Sequence, residues 1–359
     1  MIPKGLRIPL SVSALLLASC HANGDRVALD GEALGELAIS HLVSLGDEGG
    51  TGILADPWDV EQRQNGEWIV ADYMLPQKLR FFSEDGEFLR ALGREGEGPG
   101  EFRMLGPVWV LPEDSFAVAD YGLLRVTWFS SNLRHAETVR IPSRSRVSLL
   151  PNGDFLLADG NSGFGLIRLQ QRNRSPPKTI DPFPHATDLG NEWTRWRVLP
   201  KRGKGEFWSA HLVRYRLEKW NLDGDTLRSL DRVVDWFLPH DDYIGPRRKE
   251  EGPPNSSIRA VHEDPDGRIW VAIHVADPRW ETAFGPGRGY FEGQERVTER
   301  NVYYDTLIEV IDPKRNRVVA SARVDDLVMG FTSTGEFWTY SYSETGSPVV
   351  HVYSATLPT

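Results

Sequence analysis

A short phrase that returns six times constrains this 359-residue chain more than any other feature. Its clearest copies are Gly66-Glu-Trp-Ile-Val-Ala-Asp72, Asp114-Ser-Phe-Ala-Val-Ala-Asp120 and Gly153-Asp-Phe-Leu-Leu-Ala-Asp159. Looser copies follow at Gly205-Glu-Phe-Trp-Ser-Ala210, Gly267-Arg-Ile-Trp-Val-Ala272 and Gly335-Glu-Phe-Trp-Thr-Tyr340. Each opens on a Gly, Asn or Asp turn and continues as four or five β-branched, aromatic or aliphatic residues, the pattern of a buried strand behind a tight turn. The copies lie roughly 40 to 60 residues apart with no helical period between them, which is the spacing of four-stranded propeller blades.

The rest of each unit fits that spacing. A short apolar strand precedes each phrase, as at Trp58 to Glu61, Val108 to Leu111 and Val147 to Leu150. Two more strands follow, joined by a second polar turn such as Ser83-Glu-Asp-Gly86 or Asn221-Leu-Asp-Gly224. The last unit runs out after its third strand, Pro348 to Tyr353, and the alternating apolar stretch Glu36 to Leu45 supplies a fourth. Closure by an N-terminal strand would remove free sheet edges. The expected fold is all-β: a six-bladed β-propeller of four-stranded antiparallel blades over residues 36–357, closed by an N-terminal strand.

Two resemblances add to this reading. Ile69 to Asp72, Arg80-Phe-Phe-Ser-Glu-Asp-Gly-Glu-Phe-Leu-Arg90, Gly93-Arg-Glu-Gly-Glu-Gly-Pro-Gly-Glu-Phe102 and Ala119 to Phe129 together resemble the NHL-type repeat. The resemblance is specific over residues 57–140 and looser to about 357. It implies a six-bladed propeller of the kind found among bacterial lipoproteins. At the N-terminus, Lys4 and Arg7, the apolar run Ile8 to Leu17 and small residues before Cys20 have the layout of a secretory signal. The run is shorter than the roughly 20 residues a transmembrane helix needs. Leu17-Ala18-Ser19-Cys20 resembles the bacterial lipobox, which implies a signal peptide of residues 1–19 and lipidation of Cys20. Residues 20–35 then read as a tether. With His21 rather than aspartate after the cysteine, the resemblance favours the outer membrane over the inner.

Charge narrows the partners. Removing the first 19 of 359 residues leaves 340, strips two cations, and takes the net charge from −10 to −12. Nucleic-acid binding needs basic patches, so it is excluded as a function. Anionic lipid would be repelled as well, so the acyl chains must hold the protein to its membrane. The chain has one cysteine, so the acylated form has no disulfide and relies on packing. A monomer is expected.

Loop lengths point to one working face. Links after the first and third strands of each unit are short, whereas those after the second and fourth hold the insertions at 93–106, 181–195, 236–257 and 276–301. Loops longer than ~12–15 residues are usually functional or disordered. Theirs is an aromatic and arginine-rich composition: Trp193, Arg195, Trp196, Tyr243, Arg247, Arg279, Trp280, Arg288 and Tyr290. Such residues suit carbohydrates, planar rings, carboxylates or a protein partner. The same side chains would also serve to pack the loops against one another.

Catalytic signals are sparse. Asp72, Asp120 and Asp159 recur at the ends of second strands, where a ring of carboxylates would suit a cation such as calcium. The favoured reading is structural, each accepting backbone N–H bonds and pairing with arginines such as Arg125. No nucleophile motif, phosphate loop or metal-ligand spacing is found. The expected function is a non-catalytic, membrane-anchored binding propeller of the cell envelope, without cofactor, whose ligand is a small molecule or an envelope protein. The alternative is a metal-dependent hydrolase or lyase with calcium or another divalent ion in the channel.

Overall fold

The computed structural model describes residues 23–46, 50–75, 78–142, 146–159, 166–171, 178–179, 197–240, 248–287 and 295–358. Each repeated phrase forms the second strand of a sheet. Sheet one comprises Pro57–Gln62, Trp68–Asp72, Leu79–Phe82 and Phe88–Leu92 in that order. Sheet two runs from Leu105–Val110 to His135–Arg140, and sheet three from Arg146–Leu149 to Lys178–Thr179. Sheet four begins at Arg197–Val198, sheet five at Ser257–Glu263, and sheet six at Gly330–Phe331. Five of these, rather than six, are the four-stranded antiparallel blades expected. Sheet four departs from the pattern because a fifth strand, β1 (Asn23–Ala28), joins its outer edge in parallel.

Apolar clusters fill the seams between successive sheets, because strands buried on both faces offer side chains to both neighbours. Ile69 and Phe81 of sheet one meet Val108 and Phe116 of sheet two. Trp109 and Trp128 meet Val147 and Phe155 of sheet three, whose Leu156 and Ile167 meet Phe207 and Trp220 of sheet four. Leu217 and Leu230 meet Ile258 and Val271, and Ile308 and Val310 meet Phe331 and Phe337. Trp338 and Val350 of sheet six then pack with Val60 and Trp68 of sheet one. Each fully buried large side chain contributes ~1.5–3 kcal/mol.

The N-terminal segment overturns the tether reading for residues 23–35. After β1, Leu29 N–H donates to the Asp231 carbonyl and Asp30 N–H to that of Asn316. Leu37 N–H donates to the Ser321 carbonyl, before β2 (Ala38–Leu45) pairs antiparallel with Pro348–Thr356. One segment thus runs along the outer edges of sheets four, five and six. Leu29, Leu37, Val43 and Leu45 are buried by it. Leu42 falls where the register shifts between His41 and Val43 and is left 48% exposed. At Gly86 (φ +92°) a Cβ would lie 2.4 Å from the Ser44 carbonyl oxygen, so only glycine lets the turn of sheet one touch β2.

Two of the insertions carry structure of their own among the described residues. Residues 276–301 contain a 3-10 turn at Trp280–Ala283, a hairpin of Phe284–Pro286 with Glu295–Val297, and the start of a helical turn at Arg300–Tyr303. In the joining segment 93–106, Arg94–Glu95 pairs with Glu101–Phe102.

Candidate functional site

The recurring aspartates are fixed by backbone donors. Asp72 is fully buried; its Oδ2 accepts from the Ala55 and Asp56 amides at 2.7 and 3.2 Å, and its Oδ1 from Met74 and Leu75, both at 3.1 Å. Asp120 repeats the arrangement with Arg103, Met104, Gly122 and Leu123 at 2.9–3.1 Å. Four N–H groups leave little lone-pair capacity for a cation. The expected pairing with Arg125 is replaced by another contact. That guanidinium donates to the carbonyls of Glu97, Gly98 and Glu101, which clamps the glycine-rich joining segment. The side chain of Asp159 lies outside the described residues.

Of the proposed aromatic–arginine face, only Arg279 and Trp280 are described. Cys20, Trp193, Arg195, Trp196, Tyr243, Arg247, Arg288 and Tyr290 lie outside the described residues. Arg279 pairs with buried Asp277 at 3.0 Å and holds that carboxyl below its usual range. Trp280 sits edge-on to Phe284, which in turn meets the fully buried Tyr303. The two residues are neighbours, and both are tied to their own insertion.

The densest polar chemistry lies elsewhere, where first strands from separate sheets converge on the propeller axis. Lys201, just past the first strand of sheet four, reaches across to sheet one. Its Nζ lies 2.7 Å from Asp59 Oδ2, 2.7 Å from Glu61 Oε1 and 3.1 Å from the Val60 carbonyl. Asp59 Oδ2 also accepts from the Val108 amide of sheet two, and Glu61 Oε1 from the Ser333 amide and hydroxyl beside sheet six. Trp109 Nε1 donates to the Lys201 carbonyl. Burial raises both carboxyls above their usual range; Lys201 opposes that rise, and Asp59 adds repulsion at Glu61. This clasp stands toward the short-turn end of the channel, where a hollow of about 420 Å³ is lined by Glu61, Arg202 and Ser333 among others.

The long-loop end differs. Tyr121, Arg146, Arg259, His274 and Tyr340 gather there, all partly open to solvent. They come from sheets two, three, five and six. Arg146 Nη1 donates to the Arg259 carbonyl at 3.4 Å, spanning from sheet three to sheet five. Burial and then Arg259 lower the Arg146 guanidinium to about 10; burial first, then Tyr340 and Arg300, act on Arg259, which is also lowered. Burial, with Arg259 adding repulsion, pushes His274 down to about 3, so it is neutral at physiological pH and poorly suited to general acid–base work. Its Nε2 faces the Val328 carbonyl at 3.1 Å.

Sequence spacing missed both groups, whose members meet only once the sheets assemble. The one usable sign was charge on first strands that are otherwise apolar: Asp59, Glu61, Arg146 and Arg259. Among the described residues, no three His, Cys, Asp or Glu side chains gather as a metal site. No helix among them is long and apolar enough to cross a membrane.

Antiparallel blades around a polar channel define a β-propeller. Among solved structures, a DUF4221-family protein from Bacteroides vulgatus superposes with a TM-score of 0.60 at 8% identity, over 90% of this chain and 100% of its own. A Bacteroides fragilis protein whose name marks it provisionally as exported gives 0.53 at 11% identity, over 92% and 100%. These likenesses establish the propeller fold. No family model matches the chain, and no curated protein does.

Proposed function

We propose that the protein is an exported, lipid-anchored, non-catalytic propeller of six blades, with β2 closing the ring, that presents its long-loop face to a ligand or an envelope partner. The provisional naming of the Bacteroides fragilis neighbour supports export, and the NHL-type resemblance supports the blade count. Residues 1–19 act as the signal peptide and Cys20 as the acylated residue, with the outer membrane favoured and a monomer expected.

One observation supports the reading: β1 starts at the end of the channel opposite the arginine–tyrosine group. Asn23 pairs with Thr226, just past the Asn221–Asp225 turn, so β1 starts at the short-turn end. Three residues span at most ~11 Å, so a lipid carried on Cys20 would lie toward that same end and the other mouth would face away from the membrane. The exposed Met74, Val233, Trp236 and Leu238 lie in links that follow second and fourth strands, and so belong to the same face. Exposed apolar residues beside convergent polar ones mark binding surfaces.

Cells fed a fatty-acid analogue should label the wild-type chain and not Cys20→Ala. Glycan and peptide arrays probed with a soluble chain starting at residue 21 should return binding that Leu238→Ala or Trp280→Ala weakens without loss of folding. Label on the Cys20→Ala chain, or array binding indifferent to both loop substitutions, would refute the corresponding half of the reading.

A further inference from the structure

We infer that Arg146 and Arg259, with Tyr121 and Tyr340 beside them and Arg300 at the rim, form a binding site for a small molecule bearing two or more carboxylates. This deepens the reading of the long-loop face and rests on it.

The argument begins with an imbalance of charge along one channel. At the short-turn end, the cation Lys201 is matched by Asp59 and Glu61. At the long-loop end, Arg146, Arg259 and Arg300 form no ion pair with any described carboxylate. Asp56 also reaches this mouth, but its electrostatic neighbours are Asp72 and Tyr340. Asp59 lies close enough to Tyr121 to raise its hydroxyl, yet its carboxylate is committed to Lys201 and the Val108 amide. Two guanidinium groups are therefore held near one another in a partly desolvated site with no paired carboxylate among the described residues. Burial of unpaired charge is costly, and proteins retain it where a ligand supplies the counter-charge.

The chemistry of the group selects the ligand. A guanidinium offers a planar fork of donors that matches a carboxylate bidentately. Arg146 reaches from sheet three to the backbone of sheet five, so the two forks approach the axis from different sides and suit two carboxylates on one small scaffold. Tyr121 and Tyr340, on sheets two and six, are neutral near pH 7, and burial raises both hydroxyls further; Tyr121 is hydrogen-bonded at the Val147 backbone and Tyr340 to Tyr342, so they flank the two guanidinium groups with neutral rings. His274 contributes no charge there.

The test uses the soluble chain from residue 21 and isothermal titration with citrate, succinate and inorganic phosphate at constant ionic strength. Citrate should bind one equivalent, succinate more weakly, and phosphate least. Arg146→Met and Arg259→Met should each weaken citrate at least tenfold, which is about 1.4 kcal/mol. Arg315→Met, an exposed change at the short-turn end, should leave binding unaltered. Thermal melting supplies a second readout: without citrate, the two channel variants should melt no lower than wild type, since each relieves repulsion between like charges. Absence of citrate binding, binding indifferent to both substitutions, phosphate binding without carboxylate binding, or a clear drop in melting temperature in both variants would each overturn the assignment. Failure here alongside array binding that responds to Leu238→Ala or Trp280→Ala would spare the broader reading of the face.

Discussion

Lys201→Met should lower the unfolding free energy by about 3–5 kcal/mol near neutral pH, because it strands two carboxylates that are almost fully buried. The pH dependence gives the loss a signature. Asp59 and Glu61 have folded-state values above the ordinary carboxylate value, so the native state holds protons that the unfolded chain has released. Stability from this pair is therefore greatest below about pH 4, the unfolded value, and declines as pH rises through the raised folded values. Removing Lys201 takes away the influence that lowers both groups, which widens that window upward. In urea titrations the gap between wild type and Lys201→Met should narrow as pH falls toward 4. Adding Asp59→Asn and Glu61→Gln to the same chain should flatten the dependence. A gap that stays constant with pH would mean that the lysine acts through packing and not through charge.

Truncation from the N-terminus should act in two steps. Deleting residues 21–30 removes β1, the Arg26–Asp231 pair and the burial of Leu29, and should cost about 3–5 kcal/mol while leaving a folded protein. Deleting residues 21–45 also removes Leu37, Val43 and Leu45, together with the Gly31 carbonyl that accepts from Arg232. The sum approaches the ~5–15 kcal/mol that holds a whole domain together, so this chain should lose cooperative unfolding altogether. Circular dichroism melts of the three lengths would show it. Equal stability of the full chain and the shorter deletion would mean that residues 23–30 are a tether after all.

That second case marks where sequence reasoning stopped. The strands behind Gly66, Gly153, Gly267 and Gly335 were legible because a turn glycine followed by an apolar run is a local signal. β2 was legible for the same reason, through its alternating apolar residues. β1 has no such pattern: Asn23 to Ala28 is largely polar, and it pairs through its backbone with an edge already built. The bulge that turns Leu42 outward was equally silent, since alternation alone predicts an unbroken register. The candidate site was hidden by distance. Asp59, Arg146, Lys201, Arg259 and Tyr340 share no spacing, and only the ring brings them to one axis. Residues legible as a surface, Arg279 and Trp280, turned out to be fastened to their own insertion by Asp277 and Phe284.

The claim that the long-loop end of the channel is the working mouth can be tested by hydrogen exchange of the soluble chain with and without saturating citrate. Protection should appear at residues 121–124, 146–149 and 257–260, with residues 61–64, 110–113, 201–203 and 333–335 unchanged. Protection confined to the second set, or none at either end, would contradict it.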